Sequence, residues 1–432
     1  MAKRLFVLAF LSAMIAPLGG PCFAASPMSD KPIPQASSSP SVNPVVEWNR
    51  TLLTIVRTKG AQPATIHPTR SFAMMHAAIY DAVNAIDGTH RSYLLATTAS
   101  PTASQEAAAD QAAHDVLVSL YPTFQNSFDS ELQQDLAQIP DSTDKSGGIA
   151  IGQAAASTIL RARSNDGSNA TPPTFTFGTA PGDFQSTPPN FPQPQFTGWS
   201  KVTPFAIKTA NQFRPGPPPA LVSDTYSDDL NEVQSLGIAN STAATPDQVL
   251  TGKFWNGAIQ NYWNEITQTA ASDRNLTTAQ SARLFALLNI TLADGVIAFY
   301  DAKYTYSRWR PVTAIREADT DNNRDTHADP NWLPEVTNTT PDPSYPGAHA
   351  VISEAAATIL DSVLKDNHID YIVTSEVMPG TIRSFESFSA AAQEATLSRI
   401  FAGVHFRSDL ETGQRLGRTV ADFVMRNFLR PS

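Results

Sequence analysis

An all-α fold is predicted from three features of this sequence. Long Ala-rich segments carry apolar residues at helical spacing, almost no stretch alternates as a strand does, and one long interruption is crowded with proline. With 432 residues, of which 41% are hydrophobic and 16% charged, the chain can bury a large core.

The first residues, MAKRLFVLAFLSAMIAPLGGPCFAAS, combine basic Lys3 and Arg4, an apolar run from Leu5 to Pro17 and small residues at Ala24 and Ala25. That is the layout of an export signal rather than a membrane span. Residues 1–24 are read as a signal peptide, and a secreted or periplasmic location is expected. Pro21 breaks the small-residue pattern that a lipid anchor on Cys22 would need, so no stable membrane anchor is expected. Cleavage after Ala24 removes two cations and no anions, which takes the formal charge from −10 to −12. The single cysteine leaves as well, so a mature chain without disulfides must rest on core packing. Its acidity argues against a nucleic-acid partner, because phosphate backbones attract basic surfaces. Residues 25–44 are rich in Ser and Pro, the composition of a flexible leader, and a single helical domain is expected over 45–432.

In RSFAMMHAAIYDAVNAIDG, from Arg70, apolar residues recur through Phe72, Met75, Ile79, Val83 and Ile86 before a stop at Gly88. SQEAAADQAAHDVLVSLYP and DKSGGIAIGQAAASTILRAR read as two further helices. His76 and His114 fall inside these patterns and are read as structural helix histidines. Residues 171–222 hold twelve of the 33 prolines, which excludes regular structure there. A loop of this length inside a compact domain is usually functional or disordered, and its Phe175, Phe184, Phe191, Phe196 and Trp199 suggest a segment laid over the body as a pocket wall.

Helical periodicity returns in GKFWNGAIQNYWNEITQTA. It resumes after a capping box, Thr277 with Gln280, in a helix whose stripe is Leu284, Leu287, Leu288, Leu292, Val296 and Phe299. The best strand signal, YIVTS at 371–375, is short. FSAAAQEATLSRIFAG and DLETGQRLGRTVADFVMRNFL form the last two helices, with His405 at their junction. Asp409, four residues on, either orients the His405 imidazole, fixing its tautomer and raising its basicity, or forms a helix-capping ion pair.

Two further clusters favour the first reading. Lys303 and Arg310, in KYTYSRWRPVTAI, are seven positions apart, so on one helix they would share a face about two turns apart. Gly347, Ala348 and His349 follow Pro346 at the start of a strong helical pattern, where free backbone N–H groups and small residues make an anion site. Arg399 adds a third cation, and the set suits an oxyanion. Arg308 and Arg316 fit solvated or structural roles equally well.

At these residues the sequence resembles the vanadium-dependent haloperoxidases and the acid and lipid phosphatases that share their site, in particular the secreted bacterial haloperoxidase branch. The pattern is Lys, six residues, Arg-Pro; then Pro-Ser-Gly-His; then Ser-Arg, five residues, His, three residues, Asp. Lys303 to Pro311 matches the first element and Ser398 to Asp409 the third, Gly403 included. The second departs from it, since Pro346-Gly347-Ala348-His349 lacks the serine. Loss of that hydroxyl is expected to weaken anion binding by roughly 0.5–1.5 kcal/mol, or up to about 3 against a charged acceptor.

The resemblance implies two helical bundles meeting at the anion site, with 275–432 carrying it. It implies vanadate as cofactor, bound through His405. Lys303, Arg310, Arg399 and the amides of Gly347 and Ala348 would neutralise its oxygens, and His349 would act as general acid–base. The implied activity is oxidation of halide by hydrogen peroxide to hypohalous acid. Two alternatives stay open: a phosphatase acting on phosphate esters with His405 as nucleophile, and an oxyanion-binding protein without chemistry. By spacing, Asp342, between Pro341 and Pro343, stands where family members vary a residue that bears on halide choice. An acid there would repel halide, which fits iodide-only activity, a shifted alignment or phosphatase work. Tyr300, Trp309 and Tyr345 are candidate pocket walls. The sequence leaves the oligomeric state open, a homodimer included.

Overall fold

Prolines and small polar residues set the start of each early helix. In a computed structural model, which describes residues 43–365 and 370–432, α1 (Pro44–Arg57) begins at a proline after Asn43, whose side chain accepts from the Val45 amide. In α2 (Pro68–Asp87) the proline follows a His67 cap. Proline fits there because its missing N–H would lack a helical partner in any case. Helices α3 (Gln105–Leu120), α4 (Gln125–Ala137) and α5 (Thr143–Arg163) follow, with Ser104 and Ser142 capping the first and last of these. The segments read as signal peptide and flexible leader, Cys22 included and all but residues 43 and 44, lie outside the described residues.

The second half contains α6 (Asp224–Leu236), α7 (Pro246–Phe254), α8 (Ile259–Asp273), α9 (Thr278–Tyr306), α10 (Pro311–Arg316), α11 (Ala348–Leu364), α12 (Phe388–Phe401) and α13 (Arg407–Asn427). Residues 172–222 hold only one short 3₁₀ turn, at Trp199–Lys201. The strand reading at 371–375 corresponds to β1 (Tyr371–Thr374), which pairs antiparallel with β2 (Ile382–Phe385) in the two-stranded sheet present among the described residues. The fold is all-α, with two helical bundles and a long Pro-rich loop.

α2, α3 and α5 pack on one another in the first bundle, and α11 packs against α12 and α13 in the second. α9 belongs to both, since it lies against α2 on one side and α11 and α13 on the other. Its capping box is formed, with the Thr277 amide donating to Gln280 and the Gln280 amide to Thr277. The 29-residue helix is apolar enough by length and composition to cross a membrane, yet 94% of its most apolar window is buried inside the protein. It is a core helix, and its last turn delivers Lys303 to the site.

α13 approaches α11 at backbone distance because glycine permits it. A Cβ added at Gly417 would lie 2.2 Å from the Val351 carbonyl oxygen. One turn earlier a Cβ at Gly413 would lie 2.6 Å from the Gly347 oxygen, so the start of α13, which carries Asp409, is set close against the start of α11, which carries His349.

Candidate active site

The α9 helix ends at Tyr306 with Ser307 in the left-handed region at φ 45°. Arg310 is therefore not on the same helix as Lys303, and the expectation of one shared face is corrected. Its backbone is extended, at φ −84° and ψ 156°, because Pro311 disfavours helical geometry in the residue before it. The intervening strip is held by the Pro-rich loop, with the Phe184 amide donating to Ser307 O at 2.7 Å and the Trp309 amide to Gly182 O at 2.9 Å. Lys303 and Arg310 meet all the same, through a carboxylate. Asp342 Oδ1 lies 3.0 Å from Lys303 Nζ and 2.5 Å from Arg310 Nη2.

These side chains are closed off from solvent. Lys303 is 0% exposed, Arg310 1%, Asp342 2%, and Arg399 and His405 4% each. Lys303 also donates to the Pro343 and Ser344 carbonyls, and Arg310 Nε donates to Asp342 O at 2.8 Å. Burial lowers the Lys303 ammonium to about 8, against the pull of Asp342. Burial alone would raise the Asp342 carboxyl, but Lys303 and Arg310 hold it below the usual carboxylate range.

His405 sits between α12 and α13, where Gly403 turns the chain at φ 78°. Its Nδ1 is 3.1 Å from Asp409 Oδ2, which also accepts from Ser344 Oγ at 2.5 Å and from the Phe406 amide at 3.1 Å. Nδ1–H therefore donates to the carboxylate and Nε2 is left as the acceptor. Arg310 Nη1, 3.1 Å away, meets that lone pair. Burial, reinforced by Arg310, Lys303 and Arg399, holds the imidazole neutral, far below its ordinary pKa.

Arg399 is the exception to full pairing. Nη2 donates to Asn256 Oδ1 at 3.1 Å, while the buried Nε and Nη1 have no partner among the described residues. Burial and the charge of Arg310 lower this guanidinium to about 9. Buried donors left unpaired cost roughly 1–3 kcal/mol each or more when charged, so two on one guanidinium mark a place for an acceptor.

The α11 N-terminus corrects one expectation. The Gly347 amide donates to Asp409 O at 2.9 Å and is not free for an anion. The start of α13 lies so close that a Cβ on Gly347 would fall 2.7 Å from Leu410 Cδ2. Ala348 is in the first helical turn, where an amide has no partner within the helix. His349 Nε2 donates to Trp255 O at 2.9 Å, and burial followed by the charge of Arg399 holds the ring neutral.

Trp255 and Asn256 belong to a stretch read from sequence as continuous helix. α7 ends at Phe254 and α8 starts at Ile259, and the break exposes the groups that meet His349 and Arg399. The Asn256-Gly257 pair, a turn signal inside the periodic pattern, was the available clue. Ser344 gave no such clue. His67 lies close enough to Asp342 to feel its charge, and its ring packs on Phe196 and Tyr300 at 5.2 and 6.3 Å. Trp309 is core, stacked on Tyr226, and Tyr345 is tied to the Pro-rich loop through Gly216 O. Arg308 lies over the Tyr226 ring, His76 bonds Asn49, and His114 bridges Asp115 and Asp129, all structural placements.

Residues 283–431, which span these site residues apart from His67, Trp255 and Asn256, match the VCPO second helical-bundle domain. A solved bacterial vanadium-dependent iodoperoxidase superposes with a TM-score of 0.75 at 26% identity, over 90% of this chain and 96% of that one. In its second half and in its fold the chain is similar to vanadium haloperoxidases. Vanadium chloroperoxidase of Curvularia inaequalis is 27% identical over 51% of this chain and 48% of that protein, so the chain matches about half the length of this curated relative. A holo-type bacterial vanadium-dependent chloroperoxidase, at 14% identity and a TM-score of 0.64 over 90% of this chain and 93% of that one, shares the fold. Against the haloperoxidase motif the chain departs at Gly347, where serine is usual, and its Asp342 lies between two of the cations.

Proposed function

We propose that this chain is a vanadate-dependent haloperoxidase that oxidises halide with hydrogen peroxide. The observation that carries the reading is the pair of unpartnered, buried Arg399 donors near a neutral, oriented His405, which feels the Arg399 charge. That donor set fits a vanadate ion: His405 Nε2 would hold it on one side, and Arg399 Nε and Nη1 with the Ala348 amide would meet its oxygens. Lys303 and Arg310 would add charge once their carboxylate partner yields. When bound, vanadate supplies a Lewis-acid centre that polarises peroxide without itself changing oxidation state.

The protein's own contribution is orientation and proton handling. Asp409 keeps the His405 proton on Nδ1, so that Nε2, which here accepts from Arg310 Nη1, keeps the lone pair a ligand needs. Trp255 O fixes the His349 proton on Nε2, which leaves Nδ1 to accept a proton from peroxide and return it to the leaving oxygen. The closed packing around Lys303, Arg310 and His405 keeps bulk water from competing for these donors. Asp342 adds negative charge beside the site, which favours iodide, the most easily oxidised of the halides. Residues 1–24 would direct the protein out of the cytoplasm.

Purified protein assayed for iodide and bromide oxidation with peroxide, with and without added vanadate, tests the reading. A p-nitrophenyl phosphate assay on the same batch separates it from phosphatase action. Vanadate-dependent iodide oxidation is expected. Ester hydrolysis that vanadate inhibits, with no halide oxidation, would assign the site to phosphoryl transfer instead.

A further inference from the structure

Two of the three cations at the site already have an anion. Asp342 Oδ1 lies within 3.0 Å of both Lys303 Nζ and Arg310 Nη2, and the Asp342 carbonyl accepts from Arg310 Nε. Lys303 meets the Pro343 and Ser344 carbonyls besides, and Arg310 Nη1 meets Val404 O and His405 Nε2. Arg399, by contrast, keeps two donors empty. The site is thus half satisfied internally and half open.

We propose that Asp342 is an internal counter-anion that competes with the oxyanion for Lys303 and Arg310, so that a ligand gains these two cations only by displacing the Asp342 carboxylate. This rests on the reading of the site as an oxyanion pocket. The physical argument is charge balance. Two buried cations without an anion would be costly to fold, and a carboxylate between them offsets that cost. The same carboxylate repels an incoming anion and must be moved before the ligand can take its place. The pairing holds the Asp342 carboxyl below the usual carboxylate range, so mild acid leaves it charged and in place. The opening is coupled to ligand charge, which favours multiply charged oxyanions over single halide ions at this position.

Equilibrium dialysis with orthovanadate on wild type and Asp342→Asn, with thermal melts of both with and without vanadate, tests the proposal. The substitution keeps the size of the side chain and removes its charge. The variant is expected to bind vanadate about tenfold more tightly or better. It is also expected to melt lower than wild type without vanadate and to recover most of the loss when vanadate is added, whereas wild type gains less. If Asp342→Asn will not fold without anion, a crystal structure of wild type soaked in vanadate decides. Asp342 turned away from Lys303 and Arg310 supports displacement, and vanadate bound with both Asp342 contacts intact overturns it. Equal vanadate affinity in the two proteins also overturns it while leaving the oxyanion reading in place. No binding by either protein overturns both.

Discussion

At the scale of single residues, the two histidines of the site are set up for different work. His405 has its Nδ1 proton committed to Asp409 and presents Nε2 towards Arg310, while His349 has its Nε2 proton committed to the Trp255 carbonyl. Under the proposed function, His405→Ala removes the imidazole placed to ligate, so vanadate retention and all peroxidase turnover should be lost together. His349→Ala should keep most of the vanadate affinity and lower turnover by a factor of about 10²–10⁴, the usual range for a lost acid–base group. Equilibrium dialysis beside steady-state rates separates the two outcomes, and equal vanadate retention by wild type and His405→Ala would remove His405 from the ligand role. Asn256 is a positioning residue, since its side-chain oxygen orients Arg399 Nη2. Asn256→Ala is expected to weaken vanadate retention by about 10–100-fold, as loss of a group that orients a binding residue does. Asn256→Asp, which keeps the acceptor, should restore the orientation of Arg399 while adding a negative charge, so a melting temperature close to wild type with weak vanadate binding is expected. Unchanged vanadate affinity in Asn256→Ala would show that Arg399 is held in place without this bond.

At the scale of elements, the sequence was legible wherever a segment obeyed a single rule. α2, α3, α5, α9, α12 and α13 follow from periodicity with caps, and the Thr277–Gln280 box places the start of α9 to the residue. The Pro-rich loop was legible for the opposite reason, since no regular structure accommodates so many prolines. Three features were not legible, because each depends on a partner far away in sequence. The turn from Tyr306 to Arg310 is imposed by the pairing of Ser307 and Trp309 with the Pro-rich loop, more than a hundred residues earlier. The break at Trp255–Ala258 keeps its shape through Trp255 O on His349 and Asn256 on Arg399. The family motif named His349, Arg399 and His405 but is silent on what holds them. The α11–α13 contact is a third such feature. A Cβ at Gly417 would meet the Val351 oxygen at 2.2 Å, backbone that cannot rotate aside. Gly417→Ala should therefore force α13 away from α11 and cost about 1–3 kcal/mol or more, read as a lower denaturant midpoint. It should also weaken vanadate binding, because α13 carries Asp409 and α11 carries Ala348 and His349. A variant as stable as wild type would show that the two helices have slack between them.

At the scale of the whole molecule, the site lies in the second bundle, and the pH response of stability is set in part by the first. Asp110, on α3, is 2% exposed, and its Oδ1 accepts from the Trp48 indole at 3.0 Å. Burial pushes its carboxyl up to about 8, with Asp135, Glu106 and Glu131 adding to the shift, while Glu131 itself is raised to about 7 by burial. The sign follows from linkage. In the unfolded chain Asp110 releases its proton near the ordinary carboxylate value of about 3.9, whereas in the folded chain it keeps the proton until about pH 8. Between those values the folded state binds more protons, so stability falls as pH rises from about 4 to 8 and levels off above. Asp110→Asn keeps an acceptor for Trp48 and removes the titration. Urea unfolding at pH 5 and pH 8 should then show the variant close to wild type at the lower pH and more stable by about 1–3 kcal/mol at the higher, with the residual slope belonging to other shifted groups, Glu131, Asp229 and Asp294 among them. Equal stability of variant and wild type at pH 8 would mean that Asp110 ionises inside the folded bundle at little cost. That outcome would require water or a cation to reach a side chain that the packing of α1, α3 and α4 otherwise closes off.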